Sequence, residues 1–229
     1  MTFIVAIQLN DSVVIAADNK KVILKESMEN QLNVEMSSKI YSWDNGIITG
    51  TGEAHVVHRS VELFKKLAQS DIHKLPQCLK TSRQMRELEI GTNYYQVENT
   101  KLLCSSYSNN GAQLYKVERF DPLQPYKLVA VEPLDISVWL FHPNIENIST
   151  DLQDLYRDLK DYSAFNNETE WINHYINRIA VIYQKQSLCD PLMSQSFDIF
   201  FQSKEKYFFG HVPNTQDEPL EVKRLVTKP

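Results

Sequence analysis

Apolar positions follow two rhythms along the chain, and each change of rhythm marks a new element. Thr2-Phe3-Ile4-Val5-Ala6-Ile7-Gln8-Leu9 is a nearly continuous apolar run, broken at Asn10-Asp11-Ser12 and resumed at Val13-Val14-Ile15-Ala16-Ala17. β-Branched residues on both sides of a short polar break predict a hairpin buried on both faces. Asp18-Asn19-Lys20-Lys21 ends it, and a polar stretch follows to Ser38. Lys39 to Trp43 and Ile47 to Thr49 predict the next hairpin, turned at Asp44-Asn45-Gly46, since Asn-Gly is a strong turn signal. From Glu53 to Gln69 the period lengthens, with Val57, Val61, Phe64 and Ala68 at helical spacing. Pro76 opens a second helix that runs to Leu88, with Gly91 as its stop. Strands are expected again at about 100–107, 112–120, 126–132 and 135–141, helices at 144–164 and 168–186, and a last hairpin at 197–202 and 207–212.

Strands, two helices, strands, two helices, strands is the order of an α+β layered fold. Two antiparallel sheets face to face, each backed by a helix pair, give a four-layer αββα sandwich. No Pro/Gly/Ser-rich linker, low-complexity stretch or fixed-period repeat divides the chain. Residues 1–229 are expected to form one domain, with a polar tail from about 213.

Composition narrows the function. With 24 basic and 29 acidic residues the net charge is −5, which speaks against a broad nucleic-acid footprint. No apolar run reaches the roughly 18 residues of a membrane span. The first residues lack the basic and apolar regions of a secretory signal. Three cysteines without close spacing suit a reducing compartment, so the expected location is cytoplasmic. Only 6 glycines occur, against roughly 16 at average usage, so their positions are informative. Two of them fall in Thr49-Gly50-Thr51-Gly52.

Thr2 carries the sharpest chemistry. Removal of Met1, favoured when the next side chain is small, would make Thr2 the first residue. A free N-terminal Thr combines a hydroxyl nucleophile with an α-amine base whose ordinary pKa is about 7.7–8.0. Asp18 ends the strand expected to pair with that of Thr2, and Lys39 opens the next hairpin. A lysine beside the nucleophile favours the free amine and stabilises an alkoxide, and an aspartate would hold the lysine in place. Thr49-Gly50-Thr51-Gly52 follows a strand and opens a helix, where free backbone N–H groups suit a developing oxyanion. It has neither the P-loop lysine nor the Gly-x-Gly-x-x-Gly spacing. His55 and His58 share a helix face without an evident third ligand, so no metal is expected, and nothing implies a cofactor. His142 is a spare candidate base and Cys189 a candidate thiol, while Cys78 and Cys104 suit packing positions. The amphipathic stretch 151–159 is a candidate subunit interface.

Taken in order, Thr2-Phe3-Ile4-Val5-Ala6, Val13-Val14-Ile15-Ala16-Ala17-Asp18, Ser38-Lys39-Ile40 and Ile48-Thr49-Gly50-Thr51-Gly52-Glu53-Ala54 resemble the proteasome β-type branch of the N-terminal nucleophile hydrolases. The resemblance implies Thr2 as nucleophile, its α-amine as base, Lys39 and Asp18 as the supporting pair, and the Gly50 N–H as oxyanion donor. Asp190 fits the first position of the Asp-x-x-Ser-Gly-Gly stretch of that family. Met193 stands where its serine is expected, with Ser194 one residue on. Trp139 to Asn144 lacks the family's Gly/Ser-rich turn. The implied substrate is a peptide or other amide, the implied assembly a homo-oligomeric ring or stack of rings, and an unfoldase is a candidate partner. Two alternatives stand beside this: a catalytically silent proteasome-like scaffold or assembly subunit, and an amidase of small molecules.

Overall fold

A computed structural model describes residues 2–23, 33–92, 94–109, 111–140, 144–203 and 206–215. The strands are β1 (Ile4–Gln8), β2 (Ser12–Asp18), β3 (Lys20–Ile23), β4 (Asn33–Met36), β5 (Tyr41–Trp43), β6 (Gly46–Thr51), β7 (Lys101–Ser108), β8 (Gly111–Glu118), β9 (Lys127–Ala130), β10 (Asp135–Trp139), β11 (Phe197–Ser203) and β12 (Lys206–Val212). The helices are α1 (Ala54–Lys66), α2 (Leu75–Ile90), α3 (Tyr95–Glu98), α4 (Ser149–Arg157) and α5 (Glu168–Cys189). One five-stranded sheet has the order β10-β1-β2-β11-β12 and the other β5-β6-β7-β8-β9, with every paired neighbour antiparallel.

The period-2 alternation of each strand divides its side chains between two apolar slabs. In β1 and its flanks, Phe3, Val5, Ile7 and Leu9 pack toward α4 and α5, while Ile4 and Ala6 face the second sheet. In β2, Val14 and Ala16 take the helix side, and Val13, Ile15 and Ala17 the sheet side. On the second sheet, Ile48, Leu102, Cys104 and Val117 pack against Val57, Val61, Phe64 and Leu79 of α1 and α2. Ile47, Leu103 and Leu114 complete the middle slab. Helix, sheet, sheet, helix is the αββα sandwich, with its core in three apolar slabs. Burying both faces of β1 and β2 is what their continuous apolar runs demand.

Four local details differ from expectation. The polar stretch after Asp18 carries a two-stranded hairpin, β3 with β4, in the register Lys21↔Glu35. Its charged positions hide the period, and Ser37 N–H closes its base on the Asn19 carbonyl at 2.8 Å. The helix expected over 144–164 is a 3₁₀ turn at Glu146–Ile148, then α4, then a 3₁₀ turn at Tyr162–Ala164. Tertiary bonds hold the gap open: the Tyr175 hydroxyl donates to Lys160 O at 2.7 Å, and Asp161 accepts from Asn10 N–H at 3.0 Å. The tail expected from 213 is anchored at its start. Asn214 is buried, and its amide donates to Ala180 O at 3.0 Å and Gln195 O at 3.1 Å. Thr49, Gly50 and Thr51 lie inside β6, so Gly50 is a strand residue and does not open a helix. The cap of α1 is Glu53, whose carboxylate accepts from Val56 N–H at 2.9 Å. Among the described residues, no helix is long and apolar enough to cross a membrane.

Candidate active site

β1 and β2 pair antiparallel in the register Ile4↔Ala17, which sets Asp18 across from Phe3. The two are joined twice: Phe3 N–H donates to Asp18 Oδ1 at 2.8 Å, and Asp18 N–H donates to Phe3 O at 3.1 Å. The Tyr183 hydroxyl of α5 donates to the same Phe3 carbonyl at 3.1 Å. Both polar groups of Phe3 are thereby fixed, and with them the start of β1, where Thr2 sits.

Lys39 precedes β5. Continuing the register Tyr41↔Ile48 by two residues puts Lys39 across from Gly50. Its ammonium donates to Asp18 Oδ1 at 2.6 Å, with both side chains buried. Asp18 Oδ2 accepts Lys20 N–H at 3.1 Å, so the carboxylate faces three donors. Burial pulls the Lys39 pKa below the usual lysine range, opposed by the charges of Asp18 and, more weakly, Asp190. Burial disfavours the charged ammonium and Asp18 restores part of what burial removes.

Thr2, Lys39 and Gly50 line one narrow cleft together with Lys21, Tyr41 and Val57. No hydrogen bond joins the Thr2 hydroxyl to Lys39 among the described residues. The cleft holds about 20 Å³, roughly the space of one water. Gly50 is required here by contact: a Cβ would lie 2.7 Å from the Lys101 carbonyl and 2.7 Å from Leu102 Cδ2. Gly52 adopts φ +109°, in the region that favours glycine. Beyond Gly52 a second cavity of about 420 Å³ opens between β6, α3 and Glu118–Phe120.

Asp190 caps the C-terminus of α5, and its Oδ1 accepts Leu192 N–H at 2.9 Å. It adds negative charge near Lys39 without bonding to it. Met193 is buried in the apolar slab with Phe3 and Phe197. It leaves no hydroxyl at the position where the motif has serine. Ser194 has its hydroxyl engaged elsewhere: it accepts Asn19 N–H at 2.7 Å and donates to Ser196 O at 2.8 Å. It holds the residue after Asp18. His142 and its neighbours Phe141 and Pro143 lie outside the described residues. His58 packs on the Tyr41 ring, with centroids 5.9 Å apart, and no group of three His, Cys, Asp or Glu among the described residues could hold a metal ion. Cys78 and Cys104 are buried and Cys189 is exposed.

Sequence reasoning missed Tyr183, Lys21 and Tyr41. Tyr183 continues the stripe of Tyr175 and Ile179 at helical spacing, which signals burial but not the partner of its hydroxyl. Lys21 and Tyr41 come to the cleft through the β3–β4 hairpin and the short strand β5, and the apolar period marks neither position.

No protein-family model and no curated protein sequence matches the chain. Solved structures do. An Anbu (Gly-1) mutant from Hyphomicrobium sp. strain MC1 superposes with a TM-score of 0.64 at 11% identity, over 95% of this chain and 89% of that one. Anbu (ancestral beta-subunit) from Yersinia bercovieri gives a TM-score of 0.59 at 9% identity, over 90% of this chain and 86% of that one. The assignment to the proteasome β-type family suggested by four short motifs is therefore corrected. No family model carries it, and the structural likeness runs to Anbu proteins at an identity that establishes architecture alone. The comparisons thus show that the chain has the αββα fold of the Anbu proteins.

Proposed function

We propose that the protein is a threonine-dependent N-terminal nucleophile hydrolase that cleaves peptide or other amide bonds. Loss of Met1 frees the α-amine of Thr2. The Thr2 hydroxyl attacks the scissile carbonyl carbon while the amine takes its proton. The oxyanion meets the Gly50 N–H, and the buried Lys39 charge favours both the alkoxide and the unprotonated amine. The α-ammonium returns the proton to the departing amine. Water, deprotonated by the same amine, then hydrolyses the ester left on Thr2. The observation that carries this reading is the buried Lys39–Asp18 pair at 2.6 Å, whose carboxylate also grips Phe3 N–H, one residue from Thr2. Asp190 supports it by its charge on Lys39.

The reading includes a homo-oligomer, testable by native mass spectrometry, with an unfoldase as candidate partner. It sets the reaction in the cytoplasm, which three free cysteines suit. The deciding experiment compares turnover of peptide substrates by the wild type, Thr2→Ser and Thr2→Ala. Thr2→Ala should lose turnover and Thr2→Ser retain part of it. Equal rates in all three refute the mechanism. Turnover of acylated small amines with none on peptides would select the small-molecule amidase.

A second reading is a catalytically silent scaffold of the same fold. It is favoured by Met193 in the apolar core and by the Ser194 hydroxyl bound to Asn19, which leave no serine hydroxyl at the motif position to relay the amine's proton. Lack of adduct with an electrophile directed at N-terminal threonine would select it.

A further inference from the structure

We infer that the cleft beside Thr2 is a carboxylate pocket, and that the enzyme cleaves after acidic side chains with Lys21 as the specificity-determining residue. This rests on the hydrolase reading above.

Two of the residues that line this cleft, Lys21 and Tyr41, carry an ammonium and a hydroxyl with no hydrogen-bonding partner among the described residues. The other cations nearby are occupied. Lys39 is bound to Asp18, and Lys20 donates to Pro191 O at 2.8 Å. Glu35 is the acid set opposite Lys21 across the β3–β4 pair, but it is exposed and no ion pair joins the two. Tyr41 is held by its ring against His58, which leaves the hydroxyl end unengaged. A carboxylate accepts two or more hydrogen bonds, so an ammonium and a phenol in one cleft match it in number and charge.

The acyl half of a cleaved substrate becomes bonded to Thr2 in the first step and stays so until water releases it in the second. Its side chain is therefore the one that dwells in a cleft walled by Thr2 itself.

The test uses paired fluorogenic peptides that differ only in Glu or Gln before the leaving group. The wild type should favour Glu by about tenfold in kcat/KM, the order expected of a partly exposed charge-assisted hydrogen bond. Lys21→Met should bring the ratio near one, Lys21→Arg should keep it, and Lys21→Glu should invert it. A ratio near one in the wild type, or one unmoved in Lys21→Met, overturns the pocket even when Thr2→Ala abolishes cleavage and so upholds the hydrolase. If no Thr2-dependent cleavage occurs, the hydrolase reading fails, and calorimetric binding of the same peptides as C-terminal amides decides the pocket. Preference for the Glu amide that Lys21→Met removes supports it, and equal binding overturns it.

Discussion

Asp18→Asn isolates the charge that holds the site together. In the native protein Asp18 Oδ1 accepts both Phe3 N–H and the Lys39 ammonium, and Oδ2 accepts Lys20 N–H. An asparagine has one acceptor oxygen. With that oxygen toward Phe3 and Lys39, its NH₂ group faces the Lys20 N–H, donor against donor. Steric fit is nearly unchanged, so the cost is electrostatic. Removing one partner of a buried ion pair typically costs about 3–5 kcal/mol. Lys39 can escape only by losing its proton, which from an ordinary lysine pKa costs roughly 4.6 kcal/mol at pH 7 and roughly 2 at pH 9. That escape sets a ceiling. The sign follows from the burial of Lys39, which already lowers its pKa in the folded state. Between the folded and unfolded values the unfolded chain binds the extra proton, so stability rises with pH through that window. Deleting the Asp18 charge lowers the folded pKa further and widens the window downward. Asp18→Asn should therefore cost about 3–4 kcal/mol at pH 7 and about 2 kcal/mol at pH 9. Combining it with Lys39→Met should cost less than the sum of the two single changes by at least about 1.5 kcal/mol. Urea unfolding of the wild type and three variants at both pH values measures all of this. A cost below about 1 kcal/mol at pH 7, or one that does not fall as pH rises, would show that Asp18 does not hold a buried Lys39 charge.

Three further outcomes follow from neighbouring contacts. Ser194→Ala should destabilise by about 1–3 kcal/mol, because the buried Asn19 N–H loses its acceptor; thermal unfolding measures it. Met193→Ser, which restores the residue of the motif, should lower stability by about 3 kcal/mol by placing a hydroxyl and a void in the apolar slab, with no gain in turnover. Gly52→Ala should cost about 1–3 kcal/mol, since φ +109° disfavours a side chain and the new Cβ would sit 2.5 Å from Thr100 Cα.

Much of the fold was legible because the middle slab demands it. A strand buried on both faces needs a continuous apolar run, and β1, β2 and β11 carry one at Ile4–Ile7, Val13–Ala17 and Ile199–Phe201. α1 and α5 bury one stripe, and their 3.6-residue period says so. The hairpin β3–β4 was not legible, since Lys20, Lys21 and Glu35 interrupt its apolar positions and leave no period to read. The break after α4 was invisible for another reason: Asp158 to Asp161 are drawn off by side chains of α5 and by the backbone and side chain of Asn10 in the β1–β2 turn, partners remote in sequence. At the site, Asp18 and Lys39 could be paired by topology because hairpin registers bring them to one end of the sandwich. The anchoring of Phe3 by Tyr183 and of Asn19 by Ser194 crosses between layers, and no local spacing encodes it.

The intact mass of the protein purified from its native source, before any substrate is added, decides whether Thr2 can act as nucleophile and base. The proposed mechanism requires the α-amine of Thr2 to be free. It predicts a single species lighter than the encoded chain by one methionine residue, which gains one equivalent of a threonine-directed epoxyketone and fails to do so as Thr2→Ala. A native protein that retains Met1 would contradict it, because the proposed base would not exist.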